Sequence, residues 1–256
     1  MIMFALLNLA VVSVLFFAML AMQEVGLRFA ERASEPEGQK RATGATEGAV
    51  YGMLGLFLAF TFSAAGARFE DRRHLAVEEA NAIGTAWLRI DILPANAQPH
   101  MRDLFRHYMD ARLERARLAT NRIVVDAAVT KYRASQQEIW SAAVAAARES
   151  HQVPPFSVFL PALNQMIDIT QTRESVAQMR TPLAVFVMVA TLALVGSLFA
   201  GYDLAGKTRY WFHKVGFALV MALALFVIID LEFPRLGLIR VDASDSALYD
   251  VQRAMQ

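Results

Sequence analysis

The chain has 256 residues, 56% of them hydrophobic and only 19% charged, with a formal net charge of +1 and no cysteine. A soluble domain of this size carries about 25% charged residues, so the apolar excess points to a membrane protein. The near-zero charge gives no footing for nucleic acid, and the missing thiols exclude disulfides, thiolate metal sites and cysteine nucleophiles.

Apolar residues gather in four blocks near residues 1–22, 48–67, 182–202 and 211–231. Each approaches the ~20 residues that cross a ~30 Å hydrocarbon core, and the runs read as helices because lipid leaves no partner for an open sheet edge. The expected layout is span one at 1–22, a polar loop at 23–47, span two at 48–68, a helical extramembrane domain at 69–180, span three at 181–202, span four at 210–232 and a tail at 233–256. The fold class is all-α, a four-span membrane protein. A signal peptide is the alternative for the first block, but Met1-Ile2-Met3-Phe4 has no basic start and the run exceeds the usual roughly 7–15-residue apolar region.

In loop one, EPEG and TGATEG read as turn or flexible elements. The insert after span two shows no strand-like alternation and is predicted helical throughout. Leu75, Ile83, Ala86, Trp87 and Ile90 share one apolar face with Glu79, an odd acid that needs a partner if buried; a subunit contact would supply one. Glu78, Asn81, Thr85 and Arg89 make the polar face. Leu93-Pro94-Ala95-Asn96 ends that helix. A second helical region runs from about Pro99 to Ser150, interrupted near Thr120-Asn121 and broken by Pro154-Pro155. A last one runs from about Ser157 toward Arg180, with Pro161 tolerated in its first turn. Thr181 then reads as an N-cap and Pro182 as the first residue of span three. Tyr202, Tyr210 and Trp211, around a loop from Tyr202 to Arg209, suit the headgroup level. Pro234 and Gly237 stop span four. His100, Asp103 and His107 share a helical face read as wet surface. No HExxH, nucleophile elbow, P-loop or Rossmann fingerprint occurs, so no catalytic residue, metal or cofactor is assigned and the chain is not read as an enzyme.

Four spans put the termini and the insert on one side. Arg68, Arg72, Arg73, Arg173, Arg180, Arg235 and Arg240 flank that side; Arg28, Arg32, Lys40, Arg41, Lys207, Arg209 and Lys214 flank the other. The tallies are equal, so the positive-inside rule does not decide orientation, though the missing charge before span one and the basic short loop before span four lean slightly toward the insert outside. Asp230 and Glu232 at the end of span four are functional by default at membrane depth; pairing with Arg235 or Arg68 at the interface is the structural alternative.

Span two carries the most pointed pattern. Gly52, Gly55, Ala59, Ser63 and Gly66 recur every three or four residues, a stripe that admits a second helix closely. Leu56 and Phe60 sit one turn apart beside it, and Met53 and Phe57 make a neighbouring bulky row. Such side chains projecting into a ring of helices would form a hydrophobic constriction that gates by dewetting; facing lipid or a neighbouring helix is the alternative. Phe199 in span three reads as lipid-facing.

Residues 54–73, LGLFLAFTFSAAGARFEDRR, resemble the second transmembrane helix of bacterial bestrophins at Leu54, Leu56, Phe57, Leu58, Phe60, Arg68, Phe69 and Arg73, with Asp71 in place of a glutamate. Thr61, Ser63 and Gly66 replace that family's arginine, asparagine and tyrosine. Glu232-Phe233-Pro234-Arg235-Leu236-Gly237 is similar to its N-P-F-G turn without the asparagine, and span count, helical insert and EEANAIGTAWLR at 78–89 agree with the bestrophin-like family. The resemblance implies a homopentamer in the lipid bilayer of a bacterial inner membrane, a pore lined by the second helices, and a helical domain in the cytoplasm. It maps the constricting residues onto Phe60 and Leu56, with Gly52 at the third position. It implies conduction of monovalent ions of unresolved sign, with Arg68, Asp71 and Arg73 at the pore mouth. Asp242 and Asp245 are too sparse for the 6–8 oxygen ligands of calcium. The competing class is a non-conducting membrane sensor or scaffold whose helical domain binds a partner.

Overall fold

The computed structural model describes residues 2–32, 37–117, 122–150, 153–204, 210–233, 236–239 and 242–256. All regular structure there is helical: α1 (Ile2–Arg32), α2 (Glu37–Leu88), a 3₁₀ turn (Arg89–Ile92), α3 (Gln98–Arg117), α4 (Arg122–Glu149), α5 (Val153–Gln178), α6 (Leu183–Asp203), α7 (Tyr210–Glu232) and α8 (Asp242–Ala254). Four helical stretches among the described residues are long and apolar enough to cross a membrane. The chain forms two compact units, Met1–Arg68 with Arg180–Ile239, and Phe69–Met179 with Arg240–Gln256.

The first unit holds the spans. α1 packs against α6 and α7 over a core of Val12, Met19, Leu54, Ala193, Ala218 and Ala222. α1 and α6 meet backbone to backbone: a Cβ on Gly26 would overlap the Leu198 carbonyl, and one on Gly201 would overlap the Gln23 carbonyl. Helices in lipid gain from such close approach because no hydrophobic force drives them together. Polar side chains tie the same bundle: Tyr51 donates to the Gly196 carbonyl at 3.0 Å, Gln23 to the Lys214 carbonyl at 3.2 Å, and Lys214 Nζ to Glu24 at 2.7 Å. The outer faces of α1 and α7 present Leu6, Leu7, Val14, Phe17, Leu219, Val220 and Leu223, apolar side chains suited to lipid. Phe199 is half-buried rather than outward.

The second unit packs the last part of α2, the 3₁₀ turn, α3, α4, α5 and α8 around Ile83, Trp87, Phe105, Tyr108, Ile139, Phe159 and Met166. Arg102 and Arg106 stack over Trp87, 4.8 and 5.6 Å from its ring centre.

Four expectations need correction. The polar loop at 23–47 is helical on both sides of residues 33–36; good helix formers and a Glu24–Arg28 pair at i, i+4 carry α1 onward, and Gly26 serves the crossing with α6. Span two and the first soluble helix are one continuous α2, since residues 67–88 contain no proline and one glycine. α5 begins at Val153, so Pro154 and Pro155 occupy a first turn, where their missing donors cost nothing, and Pro161 lies inside the helix. The tail contains α8, whose Leu248 is buried in the domain core together with Met255 just past its end, and the Met255 carbonyl accepts from Arg106 at 3.0 Å. The expected break near Thr120-Asn121, Pro234, the side chains of Lys40, Arg41, Lys207, Arg209, Arg235, Arg240, Asp242 and Asp245, and most of the loop before α7 lie outside the described residues.

Candidate functional site

Within the span, α2 has two unlike faces. Leu54, Thr61 and Ala65 are buried inside the first unit, and the Thr61 hydroxyl donates back to the Phe57 carbonyl at 2.6 Å. That local bond satisfies the buried hydroxyl, as the bond to the Gly196 carbonyl does for Tyr51 on the same helix. The opposite face is open: Phe60 is 65% exposed, Leu56 52% and Met53 47%, while Phe57 is half-buried. Cβ atoms built on Gly52, Gly55 and Gly66 would meet nothing within 4 Å. These three glycines of the small-residue stripe therefore have no neighbour against them among the described residues.

The residues expected at a mouth divide. In the first unit, Arg68 turns inward and donates through Nε and Nη2 to Glu232 and through Nη2 to Thr181, and the Thr181 hydroxyl donates to the same Glu232 oxygen. The clasp joins α2, the segment before α6, and the end of α7. Thr181 is thus not the N-cap of α6; Pro182 holds that position without a side-chain cap bond. The alternative of an Arg68 partner for Glu232 is the one the structure adopts. Asp230 pairs with no arginine among the described residues; it accepts from the backbone N–H of Leu238 at 2.9 Å and of Ile239 at 2.7 Å. Gly237 lies so close to that carboxylate that a Cβ would collide with it. Phe233 packs at a tilt against Phe4, ring centres 4.7 Å apart, and the Arg180 guanidinium lies 4.4 Å from its ring centre.

In the second unit, Arg72 is buried and donates to the Met179 carbonyl at 2.8 Å. Arg73 is exposed and pairs with Glu70 at 2.9 Å. Asp71 is exposed and no cation pairs with it among the described residues. Further along α2, Glu78, Asn81 and Thr85 are exposed as expected, while Arg89 is half-buried and donates to the Val158 carbonyl at 2.9 Å. With Asn164, Asp168 and Thr172 of α5 the first three line a groove of about 530 Å³.

The domain interior holds a charge network. Arg112 binds both Glu79 oxygens, Nε at 2.5 Å and Nη2 at 3.0 Å, a bidentate fork. Arg173 reaches the same carboxylate at 2.5 Å, and Thr170 donates to it at 3.2 Å. Arg112 also approaches Glu174 at 3.4 Å, which Arg115 meets at 3.1 Å. Burial alone would raise the Glu79 carboxyl, but the Arg112 and Arg173 guanidinium groups hold it below the ordinary carboxylate range. Burial pushes the neighbouring Tyr108 phenol up. The odd acid thus finds its partners inside its own subunit. Arg112 was missed, yet it follows Phe105 and Tyr108 on an otherwise apolar face; two opposite charges on two apolar faces were the available signal. Among the described residues no cluster of three or more His, Asp or Glu could hold a metal.

A family model, the Bestrophin-like domain, matches residues 13–246. Two variants of a bacterial bestrophin homologue from Klebsiella pneumoniae have similar crystal structures. One has a TM-score of 0.72 at 15% identity, covering 96% of both chains. The other has a TM-score of 0.70 at 14% identity, covering 94% of this chain and 97% of its own. At such identity the likeness establishes the fold. No curated protein matches the sequence.

Proposed function

We propose a function on one premise: the chain belongs to the Bestrophin-like family. It is a subunit of a passive ion channel in a bacterial inner membrane, built as a homo-oligomer, by family resemblance a pentamer, with the helical domain in the cytoplasm. The observation that carries this reading is the open face of α2. Phe60 and Leu56 stand outward beside glycines that nothing among the described residues approaches, so both the bulky row and the small stripe await neighbouring copies. Rings of Phe60 and Leu56 would make a short hydrophobic neck that passes ions only when wetted. Met53 is a weaker third ring. Phe57, half-buried against its own chain, contributes little to the lumen. Gly52 at the third family position supplies no bulky ring of its own. Arg68, held by Glu232 and Thr181, acts as an anchor of the helix end, while Asp71 and the Arg73–Glu70 pair are exposed and would be the charges ions meet.

The test is a planar-bilayer recording of the purified protein. A steady conductance that Phe60→Ala increases supports the channel. Silence from both proteins, with a monomer or dimer in detergent, favours a sensor or scaffold whose helical domain binds a partner.

A further inference from the structure

We infer that residues 236–239, just after span four, are a membrane anchor: the chain turns back at Gly237 and lays Leu238 and Ile239 into the acyl chains of the leaflet where that span ends. This contact belongs to each subunit and stands whether or not the assembly conducts.

The depth of the segment follows from Asp230. α7 is long and apolar enough to cross a membrane, and Asp230 lies roughly 28 Å along it from Trp211. With that aromatic residue at one headgroup level, the carboxylate sits at the far edge of a ~30 Å hydrocarbon core. A Cα–Cβ bond leans toward the N-terminus of its helix, so the Asp230 side chain sets out toward the membrane interior. It accepts from the Leu238 N–H at 2.9 Å and from the Ile239 N–H at 2.7 Å. The returning segment therefore lies alongside the last turn of α7 and not beyond it. Gly237 makes the approach possible, since a Cβ there would overlap the carboxylate.

The segment is built for lipid. Backbone outside a helix is tolerated at membrane depth only where the protein satisfies its polar groups. Here all four N–H groups are satisfied: those of Leu236 and Gly237 reach the Phe233 carbonyl at 2.9 and 3.0 Å, and the next two take Asp230. The side chains carry no polar group, and Leu238 is 70% exposed. Along α7 the outward apolar side chains stop at Leu223, and residues 224–232 are buried or half-buried. Leu238 and Ile239 resume the outward surface beside Asp230. The Phe4–Phe233 contact brings the start of α1 alongside, where Met3 is exposed too, so the apolar surface continues onto the lipid-facing side of α1. Arg180, exposed and 4.4 Å from the Phe233 ring centre, sets a positive charge beside this edge, as lipid phosphates favour.

The chain has no cysteine, so a single introduced cysteine carries the only label. Leu238→Cys, Leu219→Cys on the outer face of α7 and Val124→Cys on the helical domain, all at exposed positions, are each labelled with an environment-sensitive fluorophore. The full-length proteins are then reconstituted in vesicles. Lipids brominated on the acyl chains should quench the label at 238 comparably to the one at 219. Iodide on both sides of the membrane should quench it about threefold less than the one at 124, or weaker still. Adding Asp230→Ala to Leu238→Cys should free the segment and raise its iodide quenching by about threefold; the comparison among 238, 219 and 124 decides by itself if that variant does not fold. A label at 238 that iodide reaches as readily as the one at 124 overturns the anchor. So does a label that neither quencher reaches, which would put a neighbouring copy over Leu238. Failure of brominated chains to quench the label at 219 would overturn the placement of α7 in the bilayer, and the anchor with it.

Discussion

Arg112 Nε lies 2.5 Å from Glu79 Oε1 in the middle of the helical domain, with side-chain exposures of 2% and 0%. The pair crosses from α3 to α2 beside the apolar residues of the domain core, and Arg173 and Thr170 complete the shell around the carboxylate. Removing one partner from such a site leaves an uncompensated interior charge. Arg112→Met should destabilise the domain by about 3–5 kcal/mol, seen as a lower thermal unfolding midpoint in detergent. An unchanged midpoint would mean that Arg173 alone suffices for Glu79.

The same carboxylate sets a pH dependence. Its pKa is lower in the folded domain than in the unfolded chain, so the folded state holds fewer protons in the window between the two. Its contribution is complete above the ordinary carboxylate range and is lost as pH falls through the folded value. Glu79→Gln should therefore lower stability at neutral pH and flatten the acid limb of the stability curve. Parallel acid limbs in the two proteins would remove Glu79 from the account.

At the α1–α6 crossing, Gly201→Val should be severe. The side chain has no room against the Gln23 carbonyl, and overpacking of this kind costs typically about 1–3 kcal/mol even where neighbours can yield. Loss of monodisperse protein on size-exclusion chromatography is expected, whereas Gly216→Ala in α7, where a Cβ meets nothing within 4 Å, should behave like wild type.

The Arg68–Glu232 clasp is open to a double-mutant cycle. Arg68→Ala and Glu232→Ala should each lower the unfolding midpoint, and the double substitution should cost less than their sum, because the second removal takes away a charge already orphaned. Strict additivity would show that the two side chains do not depend on each other.

For the neck, Phe60→Ala should raise conductance or open probability by shortening the dewetted stretch. Phe199, half-buried in α6, is unsuited as the lipid-facing comparison. Phe17→Ala takes its place, since Phe17 is 65% exposed on α1; an equal response from both would argue against Phe60 as the gate.

Hydropathy and periodicity were enough for four spans and a helical insert, because lipid and a packed helical core each impose a regular pattern of apolar residues. They could not place helix ends in polar sequence. Residues 23–32 and 69–88 carry neither a stop signal nor an apolar run, so nothing local marks where the bilayer ends and the helix continues. Pro161 read as a first-turn residue because the stronger signal, Pro154-Pro155, looked like a break instead of a start. Asp230, Glu232 and Thr181 were visible as polar residues in odd places, but their partners are 8 to 164 positions away. Which arginines face solvent was illegible for the same reason: Arg72 and Arg73 are neighbours in sequence and opposite in fate.

The network around Glu79 also bears on how this interior can drift through generations. Buried ion networks replaced whole by well-packed apolar residues often lose no stability, yet every single-step path there passes through a domain holding a naked buried ion. Two carboxylates and three guanidinium groups therefore lock one another in place, and descendants of this chain will keep them together or lose them together.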